Sequence, residues 1–231
     1  LKYDDFNAPK QPKGMDFAHL GIRNLTADLS NFTFSDTDIS GSLERAAFQE
    51  QSGFVVQQAK ADFAYAEKQT YLRNMYLKTP STLLRDELVL NYQNQDQLSN
   101  DIGKVQVKVK LKNSQVAFSD VLLLVPDLKD TPPFDKNPNG LLKGDALITG
   151  TVNNLIIAKA TFSTLEGTVL RTSGRISGLP DADKLAVNLS IDEMATTRQD
   201  LMKILPDSAL PSSIELPEKI LITGKVQGGM E

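Results

Sequence analysis

Strict alternation of apolar and polar residues is the feature that most constrains the fold of this chain. In residues 105–112 every second side chain is apolar: Val105, Val107, Val109 and Leu111. Successive side chains of a β-strand point to opposite faces, so this strand would have one apolar and one polar face. A parallel sheet covered on both sides would show continuous apolar runs instead. The run therefore predicts an antiparallel sheet with one buried and one solvated face.

The same alternation recurs along the chain. Further runs fall in residues 59–65, 84–92, 146–152, 185–191 and 220–226. Clusters of turn-forming residues separate the runs, at Asn94-Gln95-Asp96, Asn153-Asn154 and Ser173-Gly174. Short runs bounded by turns are typical of all-β chains, and their spacing predicts roughly 13 to 16 strands.

Helix signals are few. The best is residues 196–205, where a threonine can cap the start, apolar residues follow at helical spacing and Pro206 ends the segment. The segment from Ser119 to Val125 precedes Pro126, but its apolar run is too short to distinguish a helix from a buried strand. Ser119 could cap a short helix there. We expect one or two short helices beside the sheet.

The chain of 231 residues is long enough for one continuous core, and we predict a single β domain over residues 1–231. Irregular inserts are predicted near residues 127–140 and 206–217, because both segments are rich in proline and polar residues. No exact internal repeat is visible. The chain starts at Leu1 and already reads as part of a strand, so we interpret it as a piece of a larger protein.

Composition excludes several classes of function. The chain has no cysteine and one histidine, His19, which excludes disulfides, thiolate metal sites and two-histidine metal motifs. The formal net charge of −4 argues against a broad nucleic-acid interface. The sequence contains no run of about 18 apolar residues, so we predict no membrane-spanning helix in it.

We predict no metal site, no cofactor and no enzymatic activity. Two segments, Asp36–Gly41 and Asp135–Gly140, resemble calcium loops, but alanine (Ala47 and Ala146) stands where each loop needs its bidentate glutamate. His19 lacks a visible nucleophile and orienting partner. An enzyme, for instance a sugar hydrolase, remains an alternative hypothesis that would require a polar cleft with converging carboxylates.

The alternating apolar faces have two interpretations. They could form the inside of a closed sandwich or barrel, which base rates alone favour. They could also form the open, curved face of a sheet that accepts lipid chains. Composition does not separate the two.

Three long segments resemble the TamB-type translocation and assembly proteins of the AsmA-like group, in their Bacteroidetes version. They are the opening LKYDDFNAPKQPKGMDFAHLGIRNLTADLSNF, the stretch VAFSDVLLLVPDLK at residues 116–129, and residues 150–206. The resemblance implies a large envelope protein, anchored in the inner membrane, with a long periplasmic β region curled into an apolar trough. It also implies a link to phospholipid movement between the two membranes and to outer-membrane protein assembly, with a BamA-like barrel partner. It brings no catalytic residues.

We therefore expect an all-β fold: a long, curved, mainly antiparallel sheet forming an apolar-lined trough, often called a β-taco, with one or two short helices. The expected function is to shelter phospholipid acyl chains in the periplasm, with the BamA-like barrel bound by other parts of the parent protein. The alternative is a structural or chaperone module that binds outer-membrane β-barrel proteins by strand pairing. The residues expected to line the trough are Leu88, Leu90, Val105, Val107, Val109, Leu111, Ile148, Val152, Val187, Leu189, Ile220 and Ile222.

Overall fold

The computed structural model describes residues 1–16, 18–130, 133–164, 167–181, 184–204 and 215–229. These residues form one sheet of eleven strands, and each strand is antiparallel to the next in the sequence. The strands are β1 (Ile22–Phe34), β2 (Ile39–Glu50), β3 (Val55–Tyr65), β4 (Gln69–Lys78), β5 (Leu83–Asn91), β6 (Gln106–Ala117), β7 (Leu141–Thr151), β8 (Asn154–Thr164), β9 (Thr168–Ser177), β10 (Ala186–Thr197) and β11 (Lys219–Gly229). Because β1 and β11 lie at opposite edges, the sheet is open. The expectation of an all-β, antiparallel, open sheet is confirmed.

Every one of the ten strand ladders contains a register shift, and these shifts bend the sheet. Among the described residues, the five non-glycine residues with positive φ all lie at such shifts: Asn24, Asn31, Asn74, Asp86 and Asn113. Asparagine and aspartate tolerate this backbone region better than other side chains do. The result is a long, curved sheet, as expected from the sequence.

The number of strands differs from the prediction, because the strands are longer than the turn signals suggested. Ser173-Gly174 is not a turn but lies inside β9, where Gly174 faces Leu189 of β10. Gly174 has a φ of 141°, and a Cβ there would lie 2.2 Å from the carbonyl oxygen of Asn188. The glycine therefore allows the backbone of β10 to approach closely within a continuous strand.

Three short α-helices accompany the sheet: α1 (Gln97–Asn100), α2 (Phe118–Leu124) and α3 (Arg198–Ile204). The helix expected near 196–205 is confirmed, and Thr197 caps it by accepting a hydrogen bond from the Asp200 amide at 3.1 Å. The ambiguous segment before Pro126 is also a helix. Ser119 does not cap it, because the residue before the helix is Ala117 and no side chain caps that end.

The strand ends form two long rims of the sheet. One rim, here named the helix rim, holds α2 between β6 and β7 and α3 between β10 and β11. The opposite rim holds α1 and a 3-10 turn at Ile102–Lys104. Of the expected inserts, 127–140 contains turns and most of a 3-10 segment at Pro126–Asp130, whereas 206–214 lies outside the described residues.

The packed core lies on one face of the sheet. Its centre is Ala146, Ile157 and Ala160, all more than 90% buried. Partly buried side chains pack around this centre from five adjacent strands: Leu111, Ile148, Phe162, Ile176 and Leu189. In the described residues no second sheet covers this face. Side chains of adjoining strands bury one another on the curved surface instead.

Candidate functional site, an apolar trough

The apolar face of the sheet carries a row of register partners across nine strands, with an apolar side chain on eight of them and a glycine on the ninth. Register partners lie on the same face of a sheet, so the ladder pairs define the row directly. The row, here named the central row, runs from β3 to β11: Phe63, Leu72, Leu88, Val109, Ile148, Ile157, Gly174, Leu189 and Val226. At the usual strand spacing, eight intervals make it roughly 38 Å long.

Two further rows flank the central row on the same face. One contains Leu90, Val107, Gly150, Leu155, Ile176 and Val187. The other contains Leu111, Ala146, Ala160, Thr172 and Ile191. The three rows together make an apolar strip that we name the trough.

Most residues expected to line the trough share this face, as the ladder pairs show. Those in or beside the central row are Leu88, Leu90, Val107, Val109, Leu111, Ile148, Val187 and Leu189, and all of them are half-buried. Half-burial leaves part of each side chain in contact with solvent. A ligand chain could cover that remaining surface.

Val105 differs from its neighbours in the run. It precedes β6, it is fully buried, and its carbonyl oxygen accepts a hydrogen bond from the Val152 amide at 3.0 Å. A side chain with no exposed surface offers nothing to a ligand, so Val105 packs the opposite rim rather than lining the trough. Val152 is half-buried in the turn between β7 and β8.

Ile220 and Ile222 lie on the edge strand β11, opposite Thr196 and Met194. Ile222 is exposed and Ile220 half-buried. Both belong to the trough face, because β11 alternates without a break from Ile220 to Val226, and Val226 is the partner of Leu189. They extend the apolar strip to the edge of the sheet.

The other face of the sheet is polar and highly charged around β5 and β6. Glu87 accepts hydrogen bonds from Lys108 Nζ at 2.7 Å and from Arg73 Nε at 3.2 Å, and Lys110 Nζ lies 2.9 Å from Asp86. The Lys108 hydrogen bond lowers the pKa of Glu87, against an opposing effect of burial, and the Arg73 bond adds to the lowering. The hydrogen bond and charge of Asp86 raise the pKa of Lys110. Both shifts favour the charged forms of Glu87 and Lys110 at neutral pH.

His19 lies in the segment before β1, between two carboxylates. Its Nδ1 lies 2.9 Å from Asp16 Oδ2, and its Nε2 lies 3.3 Å from Asp4 Oδ1. Asp16 also accepts hydrogen bonds from the Gln11 and Ala18 amides, and the Gln11 bond is the main cause that lowers the pKa of Asp16. Because two backbone amides of the N-terminal segment donate to this carboxylate, the cluster holds that segment in place.

The described residues contain no cluster of three or more histidine or acidic side chains able to hold a metal ion. Among the same residues, no helix is both long and apolar enough to cross a bilayer.

Sequence reasoning missed several residues of the trough, among them Leu72, Leu155, Ile157 and Ile176. Their strands carry bulges or glycines that break the strict alternation, as between Leu72 and Met75 or between Ile157 and Ala160. A usable signal was present for Leu155 and Ile157, which lie in the short apolar run at residues 155–158. Leu72 and Ile176 have polar neighbours and gave no such signal. What the sequence did not reveal was the register that places them in the rows.

Comparison with known proteins identified no matching family model, no matching curated protein and no matching solved structure.

Proposed function

We propose that the trough shelters the acyl chains of phospholipids. The observation that carries the proposal is the central row, which crosses nine strands of an open sheet and lacks a side chain only at Gly174. Six of its eight side chains are half-buried, Ile157 is buried and Val226 is exposed. No second sheet covers them in the part of the chain that the structure describes. An apolar surface of this length is the kind that marks an interaction site.

The energetics support an acyl chain as the ligand. Each methylene that leaves water for an apolar surface contributes about 0.8 kcal/mol. About ten methylenes along the row would therefore contribute on the order of 8 kcal/mol before the entropy of ordering the chain is subtracted. Such binding needs no nucleophile, metal or cofactor.

The resemblance of residues 1–32, 116–129 and 150–206 to TamB-type proteins supports a wider role. We propose that the chain is a periplasmic segment of an envelope protein anchored in the inner membrane. In this role it would carry phospholipid between the inner and outer membranes and support outer-membrane biogenesis. A BamA-like barrel would bind through other parts of the parent protein.

Native mass spectrometry with lipid extraction, after secretion of the chain into a bacterial periplasm, tests the proposal. We expect co-purifying phospholipid in the wild type and its loss in the V107D/V109D variant, which places charge in the trough. The matched control is Q106D/K112D, which changes two exposed residues on the opposite face of the same strand. Circular dichroism checks that both variants fold. Lipid-free wild type, or equal loss in both variants, would contradict the proposal.

A second candidate function is strand pairing with outer-membrane barrel proteins, and the edge strand β11 supports it. Ten of its eleven residues are exposed, and its ladder with β10 has a single register shift. The other edge, β1, has three shifts in its ladder with β2 and positive φ at Asn24 and Asn31. Because bulges hinder edge pairing, β11 is the better template for an added strand.

The two candidate functions predict different effects for a substitution that removes a backbone donor from β11. Leu221→Pro removes an N–H from β11 and leaves the central row intact. If strand pairing is the function, this variant loses the barrel partner in a pull-down while lipid still co-purifies. If lipid shelter is the function, V107D/V109D is the variant with the larger effect.

A further inference from the structure

The chain contains two copies of one structural unit, each ending in a helix on the helix rim. In the first copy β5 pairs with β6, with Leu83 opposite Gln115, and α2 follows β6. In the second copy β9 pairs with β10, with Val169 opposite Ala195, and α3 follows β10. An aspartate follows each register pair by the same interval: Asp120 comes five residues after Gln115, and Asp200 five after Ala195.

The sequence around the two helices repeats at the same interval. Asp120-Val121-Leu122 corresponds to Asp200-Leu201-Met202, and Pro126-Asp127 corresponds to Pro206-Asp207. The two segments share few identical residues. The equivalence becomes visible only when the strand register is known.

Asp200 fastens α3 to the turn that leads into the neighbouring strand. The residue is almost completely buried, and its Oδ2 accepts hydrogen bonds from the Gly167 amide at 3.0 Å and the Thr168 hydroxyl at 3.1 Å. The Thr168 hydroxyl also lies 2.7 Å from that of Thr196. The aspartate therefore joins the helix to both strands of the unit, and we name this contact the second latch.

Asp120 makes the equivalent contact for α2, through one additional hydroxyl. The buried Thr79 hydroxyl donates to Asp120 Oδ2 at 2.5 Å and accepts from the Ser81 and Thr82 amides. Thr82 in turn accepts a hydrogen bond from the Ala117 amide at the end of β6. We name this contact the first latch.

The second latch lies on the trough face of the sheet. Thr196 is the register partner of Ile220, and Leu189 is the partner of Val226. Because β11 alternates without a break between those two residues, Thr196 and Leu189 share one face. The contact that holds α3 therefore lies on the trough face, at the helix rim. Leu83 and Gln115 correspond in register to Val169 and Ala195, so α2 has the equivalent position on the helix rim, four strands away.

We propose that α2 and α3 are two copies of one lid on the helix rim and that Asp120 and Asp200 are the positioning residues that hold these lids closed. Opening of a latch would give an acyl chain lateral access to the trough. The access role rests on the proposed function, whereas the latch role does not. Four strands separate the lids by roughly 19 Å, so each lid should open independently.

Hydrogen exchange of the intact chain tests the latches. We expect D120A to speed amide exchange in α2 and in the turn at residues 79–82 by about tenfold or more, because the Thr79 hydroxyl loses a charged acceptor. In D120A, amide exchange in α3 should not change. D200A should instead speed exchange in α3 and leave exchange in α2 unchanged. D120N and D200N should restore most of the protection, since asparagine keeps an acceptor oxygen. D96A, beside α1 on the opposite rim, is the matched control.

The rate at which a fluorescent long-chain fatty acid enters the trough tests the access role. We expect D120A and D200A to take up the probe several-fold faster than the wild type, with the asparagine variants close to wild type. Faster exchange without faster uptake would overturn the access role, and unchanged exchange would overturn the latches. If no variant and no wild-type protein takes up the probe, the proposed function fails together with the access role, while the exchange data still decide the latches.

Discussion

Leu88 of β5 and Val109 of β6 are direct register partners on the trough face. The next pair along the same two strands, Glu87 and Lys110, lies on the opposite face. A one-residue slip between these strands would place the charged pair in the trough and the apolar pair in water, so the register is strongly specified. The two faces of this single-layer sheet thus have separate roles, and substitutions on each should have separate effects.

Val105 and Val107 should respond differently to truncation, although they belong to one alternating run. Val105→Ala removes two methyl groups from a fully buried site and should lower the free energy of unfolding by about 2 kcal/mol. Val107→Ala, at a half-buried site, should lower it by about 1 kcal/mol or less. Urea denaturation measures both. If the trough binds lipid, only Val107→Ala should also reduce the amount that co-purifies.

Gly174 should be intolerant of a side chain. Gly174→Ala forces a positive φ on alanine and places its Cβ against the Asn188 carbonyl, so we expect a loss of about 2 kcal/mol or more in the free energy of unfolding. Gly228→Ala is the matched control, because a Cβ at Gly228 meets no atom within 4 Å. The melting temperatures of the two variants, measured by thermal unfolding, test this prediction. Equal melting temperatures would show that the close approach of β9 and β10 does not depend on the glycine.

The stability of the polar face should depend on pH through Glu87. Lys108, and then Arg73, hold the pKa of Glu87 below its ordinary value, so this carboxylate stabilises the fold above the ordinary value and loses that effect as the pH falls through the folded value. Glu87→Gln should therefore cost less than about 1 kcal/mol at neutral pH. The difference from wild type should disappear in acid, as followed by urea denaturation at both pH values. Glu67→Gln, in the exposed turn between β3 and β4, is the control for the change in net charge.

The edge strand β11 should promote self-association of the purified chain. Leu221 is 70% exposed on this strand, and Leu221→Lys places a charge on the edge that discourages pairing. We expect sedimentation velocity to show less dimer for this variant than for the wild type. Leu25→Lys on the bulged edge β1 is the comparison, and it should have little effect. The reverse ranking would identify β1 as the pairing edge.

Alternation of apolar and polar residues was sufficient to predict the fold class and the shared face of Val107, Val109 and Leu111. It overestimated the strand number because Gly174 and the bulge asparagines resemble turn residues in a sequence while lying inside long strands. Local chemistry alone does not distinguish a turn from a bulge, because both use residues that accept a positive φ.

The lids were beyond prediction for a different reason. The apolar run before Pro126 fits a helix or a strand equally well, and its assignment depends on Asp120 meeting Thr79, a residue 41 positions away. The Ser119 cap was a reasonable local expectation, yet the helix starts two residues too early for it. Contacts across strands, rather than local propensity, fix this end of the sheet.

The described residues form an odd number of strands, and each is antiparallel to its neighbour, so β1 and β11 run in the same direction. Two copies joined head to tail, with β11 of one beside β1 of the next in the same orientation, would need a parallel ladder at the junction. Two copies joined through β11 about a twofold axis perpendicular to the sheet would keep the antiparallel pattern and place both troughs on one side. For separate copies of this polypeptide, the odd number of strands therefore favours a symmetric, closed pair over an open-ended row.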